Sequence, residues 1–126
     1  MTGVLVDSSV WIEYFRGHNV KESFENLLDN SQIYVNDLIL SELIPYLIVR
    51  KENKVIDLLR RINKFEMHIN WQEIISFQVK NIKNGINKIG IPDLLIMQNA
   101  LQNDLSLFTL DVHFRHLQNI HGFKLY

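Results

Sequence analysis

Five short apolar segments along the chain predict β-strands. They are rich in β-branched and aromatic residues, are too short for ordinary helices, and end at acidic or turn-forming residues. These strands are expected at residues 4–6, 33–35, 65–69, 105–110 and 123–126. The shortness of each run is typical of strands that lie buried inside a sheet rather than at the surface.

Between these strands, apolar residues recur every three or four positions, which predicts amphipathic helices. The helical patterns cover residues 20–28, 38–50, 55–62, 71–86, 94–101 and 112–117. Pro45 lies inside the second of them and removes one backbone donor, so we expect a bend there without a reversal of the chain. Because strands and helices alternate throughout, the sequence predicts one α/β domain over residues 1–126, with a parallel sheet covered by helices on both faces.

Four carboxylates occupy positions where chemistry is expected. Asp7 and Asp111 each follow a predicted strand directly. In a parallel sheet the carboxyl ends of the strands share one edge, and ligands bind beyond that edge near a switch in strand order. Glu42 is a single acid within a long apolar helix, and Asp93 opens the most apolar helix of the chain. These four acids are candidates for one site.

Each of the four acids also has an ordinary structural explanation. Asp7 and Asp111 suit helix caps, Glu42 suits an exposed helix stripe, and Asp93 suits a helix N-terminus, where its charge contributes ~0.3–1 kcal/mol. If the four instead meet in one pocket, their mutual repulsion requires a cation. A hard divalent ion such as Mg²⁺ accepts carboxylate oxygens, activates water and stabilises charge on a phosphodiester. This second reading indicates metal-assisted phosphodiester hydrolysis.

Charge is distributed unevenly along the chain. The 13 basic and 14 acidic residues give a net charge of -1, which excludes a protein that is polycationic over its whole surface. Residues 50–64 nevertheless hold six basic residues against two acidic ones, and residues 71–88 hold three against one. The two segments are either solvated helix faces or a basic helical pair that flanks the acidic pocket and holds an RNA backbone.

Several other classes of site are excluded by residues that the sequence lacks. There is no cysteine, so disulfides, zinc–cysteine sites and thiol catalysis are ruled out. The five histidines include no HExxH pair, and no G-x-S-x-G elbow surrounds Ser8 or Ser9. No apolar run is long enough for a membrane span, and the N-terminal residues do not resemble a signal peptide. We therefore expect a cytoplasmic protein with no membrane partner.

Four sequence blocks resemble the motif blocks of a known family. They are VDSSVWIEYF at 6–15, SELI at 41–44, GIPDLLIMQNA at 90–100 and LFTLDVHF at 107–114. Together they closely resemble PIN-domain ribonucleases, and most closely the VapC-type toxins of bacterial toxin–antitoxin pairs. The resemblance covers the chain from about Val4 to its C-terminus, in the expected order and spacing. It implies a three-layer α/β/α fold around a central parallel sheet of about five short strands.

The resemblance also implies roles for individual residues. By resemblance the catalytic acids are Asp7, Glu42, Asp93 and Asp111. Three of them, Asp7, Asp93 and Asp111, are expected to hold Mg²⁺ or Mn²⁺. The hydroxyls expected beside them are Ser8, Ser9 and Thr109. His113 departs from the pattern, because many relatives have a further acid at that position. This departure leaves the number of bound metal ions open, and Pro45 leaves the direction of the Glu42 side chain open.

The function implied by the resemblance is a Mg²⁺-dependent endoribonuclease, the toxin of a type II pair, that hydrolyses RNA with a metal-activated water. Its partners would be the RNA substrate, a small antitoxin that contacts the apolar helix over 39–48, and a second copy of the chain in a homodimer. Three alternatives stay open: a solitary RNA-processing nuclease of the same fold, a non-catalytic binding module, and a phosphomonoesterase with Asp7 as nucleophile. The last lacks a second Asp two residues on, where Ser9 stands.

Overall fold

The computed structural model describes residues 3–18, 20 and 23–126. Within these residues two helices separate each strand from the next, and a seventh helix follows the fourth strand. The strands are β1 (Val4–Val6), β2 (Ile33–Val35), β3 (Asn63–Lys64) and β4 (Ser106–Phe108). The helices are α1 (Ser8–Phe15), α2 (Ser23–Asp29), α3 (Asp37–Val49), α4 (Asn53–Arg61), α5 (Trp71–Lys83), α6 (Ile91–Gln102) and α7 (His113–His121).

The four strands form one parallel sheet in the order β3-β2-β1-β4. β1 lies inside the sheet and its residues are buried, which accounts for its uninterrupted VLV sequence. Val4 is paired with Ile33 of β2 on one side and with Ser106 of β4 on the other. The predicted parallel α/β sheet is therefore confirmed. From β1 the chain continues to β2 and β3 on one side of the sheet, and β4 then pairs with β1 on the other side. The strand order therefore switches between β1 and β4, and Asp7 follows β1 directly at this switch point.

Two of the five predicted strands differ from the structure. β3 is Asn63–Lys64, just before the predicted segment 65–69, and both of its residues are exposed. Phe65, the first apolar residue of the predicted segment, lies just after the end of β3. Its ring packs on that of Tyr34 in β2, with centroids 4.6 Å apart. The last predicted strand, 123–126, is reduced to a single bridge between Leu107 and Leu125. Both differences lie at the edges of the sheet, where backbone pairing rather than side-chain pattern fixes the strand.

The six predicted helices are present, with boundaries shifted by a few residues. Residues 21 and 22 of the first of them, predicted over 20–28, lie outside the described part of the chain. α3 continues through Pro45 without reversing, as expected. α5 ends at Lys83, three residues before Ile86, because the chain turns at Gly85 with φ of 78°. α1, which follows Asp7 directly, completes the set.

The apolar core lies on both faces of the sheet and includes residues of every helix. Trp11 of α1 is fully buried and packs edge-on against Phe24, with ring centroids 5.4 Å apart. Trp71, the other tryptophan, is exposed on α5. Among the described residues, none of the helices combines the length and the apolar character that crossing a bilayer requires.

Candidate functional site

Asp7 lies directly after β1 and is only 6% exposed. Its Oδ2 accepts hydrogen bonds from the hydroxyls of Ser9 and Thr109, each at 2.9 Å. The side chain makes no capping bond to α1, although Asp7 occupies the cap position. The capping explanation of this acid is therefore wrong for its carboxylate, which is turned toward the loop after β4.

The two hydroxyls beside Asp7 also hold the loop that follows β4. Ser9 Oγ accepts the backbone N–H of Leu110 at 3.0 Å, and Thr109 Oγ1 accepts that of Asp111 at 3.0 Å. Each hydroxyl thus joins the end of β1 to the end of β4 across the switch point. This double connection fixes the backbone of Asp111 relative to the Asp7 carboxylate.

Asp93, Asp111 and His113 form the one group in the described part of the chain whose arrangement suits a metal ion. One potential ligand atom from each residue lies within 4.8 Å of the other two. Asp93 belongs to the first turn of α6, and Asp111 lies just before α7. Asp111 Oδ1 also accepts the backbone N–H of His113 at 3.0 Å, so its helix-capping explanation is correct in part.

The electrostatics of Asp93 indicate a cluster that lacks compensating charge. Burial of its carboxyl group, followed by the charges of Asp111 and Asp7, raises the pKa of Asp93 from 3.8 to about 6. The nearby His113 has the opposite, smaller effect on that pKa. A divalent cation with oxygen ligands would remove this repulsion, so the donor set fits the metal that the sequence predicts.

Glu42 lies at the margin of the cluster. The residue is exposed as a whole, yet burial of its carboxyl group is the largest cause that raises the pKa of Glu42. The charges of Asp7 and Asp93 raise that pKa further, and a hydrogen bond from Ser8 opposes the shift. Glu42 is thus close enough for the charges of Asp7 and Asp93 to raise its pKa. Neither Glu42 nor Asp7 belongs to the group of Asp93, Asp111 and His113 whose ligand atoms lie within 4.8 Å of one another.

Two buried amides, Asn36 and Asn99, hold the two acid-bearing helices together. Asn36 Oδ1 caps α3 by accepting the N–H of Ile39 at 2.9 Å, and Asn36 Nδ2 donates to Asn99 Oδ1 of α6 at 3.0 Å. Asn36 is fully buried, and Asn99 is 2% exposed. This contact fixes α3, with Glu42, against α6, with Asp93. The contact between Asn99 and Asn36 was not predicted from the sequence. The available signal was the pair of adjacent amides Gln98 and Asn99 within the most apolar helix, because buried amides need hydrogen-bond partners.

The basic helical pair that the sequence suggests stays a prediction. Arg60 and Arg61 belong to the last turn of α4, and Lys80 and Lys83 to the last turn of α5. Lys88 instead lines a cavity of about 240 Å³ together with His113 and His116. Because His113 belongs to both features, this cavity adjoins the acidic cluster.

Comparisons with known proteins agree with this architecture. A family model described as the PIN domain matches residues 4–120. DNA-bound VapBC from Salmonella typhimurium is similar in structure, with a TM-score of 0.77 at 17% identity over 100% of this chain and 98% of that chain. VapBC2 from Rickettsia felis, bound to a promoter DNA fragment, gives 0.76 at 17% identity over 98% and 96%.

A toxin–antitoxin complex from Klebsiella pneumoniae is also similar, with a TM-score of 0.61 at 18% identity over 87% of this chain and 88% of that chain. No curated protein matches the sequence significantly. At these levels of identity the structural similarity concerns the fold.

Proposed function

We propose that this chain, which belongs to the PIN domain family, is a metal-dependent endoribonuclease and the toxin of a toxin–antitoxin pair. The catalytic acids are Asp7, Glu42, Asp93 and Asp111. The cytoplasm is the proposed site of action, since the RNA substrate is found there. The similarity to toxin–antitoxin complexes supports the toxin assignment, and the family supports the nuclease assignment.

The observation that carries the nuclease proposal is the acidic cluster at the switch point of the sheet. Asp7, Asp93 and Asp111 come from three separate parts of the chain, and burial, together with the charges of Asp111 and Asp7, raises the pKa of Asp93 to about 6. A protein that needed only folding stability would gain nothing from this repulsion. Strongly shifted groups that converge at the ligand-binding edge of an α/β sheet are typical of active sites.

In the proposed mechanism Asp7, Asp93 and Asp111 would hold Mg²⁺ or Mn²⁺. When bound, such an ion supplies activation of water and stabilises the negative charge that develops on the phosphate. Ser9 and Thr109 keep the Asp7 carboxylate in one orientation through their hydrogen bonds to Oδ2. Glu42, with its pKa raised and its position at the margin, is the acid available to accept a proton from the attacking water.

The substrate side of the proposal rests on the cavity beside His113. Lys88 and His116 line this cavity, where a phosphate upstream or downstream of the cleaved bond could meet a positive charge. Contacts of this kind position the RNA backbone without reading sequence. We therefore propose that Lys88 contributes to RNA affinity, and that the choice of target depends on other surfaces.

The decisive experiment incubates the purified chain with RNA and Mg²⁺ or Mn²⁺, with and without EDTA. Cleavage should stop when EDTA removes the ion and return when excess ion is added back. Cleavage that persists in EDTA would rule out metal-dependent hydrolysis. Turnover of a small phosphate ester without RNA cleavage would favour the phosphomonoesterase, and the absence of metal binding by calorimetry would favour a non-catalytic module.

The proposed antitoxin contact involves the C-terminal half of α3. Ile48 and Val49 are exposed there, and Val49 reaches 82%. Beside them, Phe15 of α1 and Tyr46 line a cavity of about 110 Å³, which is also lined by the charged residues Arg16, Arg50 and Glu52. An antitoxin segment with apolar side chains would cover the exposed apolar surface, and a polar side chain of that segment would meet the charged residues of the cavity.

We expect backbone amides of residues 39–48 to exchange hydrogen more slowly when the cognate antitoxin is bound. The physical reason is that a bound segment excludes water and suppresses local opening of the helix. Hydrogen exchange measured on the free toxin and on the complex tests this directly, with α6, whose N-terminal turn holds Asp93, as a second segment for comparison. Unchanged exchange over 39–48 would contradict the contact.

The proposed homodimer has a candidate surface on α5. Trp71, Ile75, Val79 and Ile82 form a stripe along this helix and are 46–63% exposed. If two copies pack with their α5 helices antiparallel, Trp71 meets Ile82 of the second copy, and Ile75 meets Val79. Such self-complementarity is what a two-fold interface requires.

Ile75→Glu should therefore convert the dimer to a monomer, because two charges would be buried close together at the two-fold axis. Light scattering measures the mass of the wild type and the variant. Leu101→Glu is the matched control, since Leu101 is an exposed apolar residue on α6, outside the stripe. A monomeric wild type, or a variant that stays dimeric, would rule out this interface.

A further inference from the structure

His113 is the third member of the candidate metal group, at a position where many proteins of the family that the sequence resembles have an acid. It is the first residue of α7 and provides the third potential ligand of the group, with all three ligand atoms within 4.8 Å of one another. Its Nδ1 is 3.3 Å from Asp111 Oδ1. The imidazole is therefore adjacent to a carboxylate that the proposed function assigns to the metal.

These distances suit ligands of a single ion. With bonds of about 2.1 Å in octahedral geometry, adjacent ligand atoms lie about 3 Å apart and opposite ones about 4.2 Å apart. The 3.3 Å between His113 and Asp111 matches an adjacent pair. All three ligand atoms lie within 4.8 Å of one another, which is close to the separation of an opposite pair.

The backbone around His113 is held in place, so the position of its ring depends on few rotations. Its N–H donates to Asp111 Oδ1, and the N–H of Asp111 donates to Thr109 Oγ1. The next residue, Phe114, is fully buried and anchors α7 in the core. Only the two side-chain torsions of His113 remain to be set when an ion binds. A ligand placed on a fixed backbone loses little conformational entropy on binding.

We propose that His113 is a protein ligand of the catalytic ion and that it shifts the preference of the site from Mg²⁺ toward a first-row transition ion such as Mn²⁺. This inference rests on the proposed metal-dependent function and adds a residue and a metal preference to it. Mg²⁺ prefers oxygen ligands and keeps several waters, whereas imidazole nitrogen favours transition ions. A neutral imidazole in place of a carboxylate also lowers the negative charge on which Mg²⁺ depends.

Binding of Mn²⁺ and of Mg²⁺, measured separately by calorimetry on the full chain, tests the preference. The wild type should bind Mn²⁺ at least about tenfold more tightly than Mg²⁺. His113→Ala should weaken Mn²⁺ binding by about 10–100-fold, the scale on which metal sites respond to lost supporting groups. The same variant should change Mg²⁺ binding by less than about threefold, because water replaces the imidazole on Mg²⁺.

Two further variants make the result specific. His116→Ala removes the other histidine of the adjoining cavity, one turn farther along α7, and should leave binding of both ions unchanged. His113→Asp restores a carboxylate and should narrow the difference between Mn²⁺ and Mg²⁺ by tightening Mg²⁺ binding. Since the His113 side chain is about half exposed, His113→Ala should leave the melting temperature of the metal-free protein nearly unchanged. His113→Asp should lower that melting temperature at pH 7, because it adds a carboxylate to a cluster that already contains Asp93 and Asp111.

A spectroscopic measurement distinguishes ligation from a nearby charge. Electron spin echo spectra of bound Mn²⁺ should contain modulation from a directly bound ¹⁴N nucleus in the wild type and in His116→Ala, and none in His113→Ala. Modulation that is absent from the wild type, or unchanged Mn²⁺ affinity in His113→Ala, overturns this inference while RNA cleavage and the proposed function stand. Failure of both ions to bind overturns the two together.

Discussion

Replacing Asp93 with asparagine should lower RNA cleavage by roughly 10³-fold, because one carboxylate ligand contributes several kcal/mol to a transition state stabilised by a metal ion. Asparagine has almost the same shape and keeps a polar group at the start of α6. The substitution therefore removes the charge and leaves the helix in place. Initial rates of cleavage at saturating Mg²⁺ or Mn²⁺ measure the loss.

The same variant should melt at a higher temperature than the wild type when no metal is present at pH 7. Asp93 has a pKa of about 6 in the folded chain against an ordinary value of 3.8, so folding favours its protonated form. The stability that this proton provides is complete below pH 4 and is lost as the pH rises through 6. Asparagine carries no charge at any pH, which should stabilise the fold at pH 7 by about 1–2 kcal/mol after solvent screening.

Thermal melts from pH 4 to pH 8 in EDTA test the stability part of this prediction. The wild type should lose stability across the interval from about pH 4 to about pH 6, and Asp93→Asn should lose less. Asp104→Asn is the matched control, because Asp104 is exposed and paired with Lys124 at 2.7 Å, away from the cluster. A variant that cleaves at the wild-type rate, or that melts below the wild type at pH 7, would contradict the assignment of Asp93.

The acids of the cluster were predictable because their positions follow from local patterns. Asp7 ends an apolar run, Asp111 follows another, and Asp93 follows Pro92 at the start of a helix. Parallel strands bring such ends to one edge, so a reader of the sequence can place them together. The local pattern could not predict the hydrogen bonds that Asp7 accepts. They come from the hydroxyls of Ser9 and Thr109, which are about a hundred residues apart in the chain.

Other features depend on packing that no local pattern encodes. The edge strand β3 consists of two exposed polar residues and pairs with β2 without contributing an apolar side chain. Asn63 Nδ2 also donates to the Ser31 carbonyl, and Lys64 Nζ donates to Asp37. Trp71 shares the helical spacing of the apolar residues of α5, yet it is 57% exposed. His113 joins the metal group only because the turn after Asp111 brings it back toward α6. These are consequences of tertiary contact, which overrides local preference.

Asn36→Ala should cause the largest loss of stability among the substitutions considered, about 2–4 kcal/mol, or roughly 10 °C in melting temperature. The substitution removes the cap on the N–H of Ile39, which costs about 0.5–2 kcal/mol. It also leaves the buried Oδ1 of Asn99 without the donor that Asn36 supplies, at a cost of about 1–3 kcal/mol. Urea unfolding of the metal-free protein, monitored by circular dichroism, gives the free energy of unfolding directly.

Asn70→Ala separates the two contributions, because Asn70 caps α5 in the same way, through the N–H of Glu73 at 3.1 Å, but is exposed. It should lower the free energy of unfolding by only about 1 kcal/mol. A double-mutant cycle with Asn99→Ala should then yield a coupling of at least about 1 kcal/mol between Asn36 and Asn99. Equal losses in Asn36→Ala and Asn70→Ala, with no coupling to Asn99, would mean that Asn36 only caps α3. The orientation of Glu42 toward Asp93 would then depend on apolar packing between α3 and α6 alone.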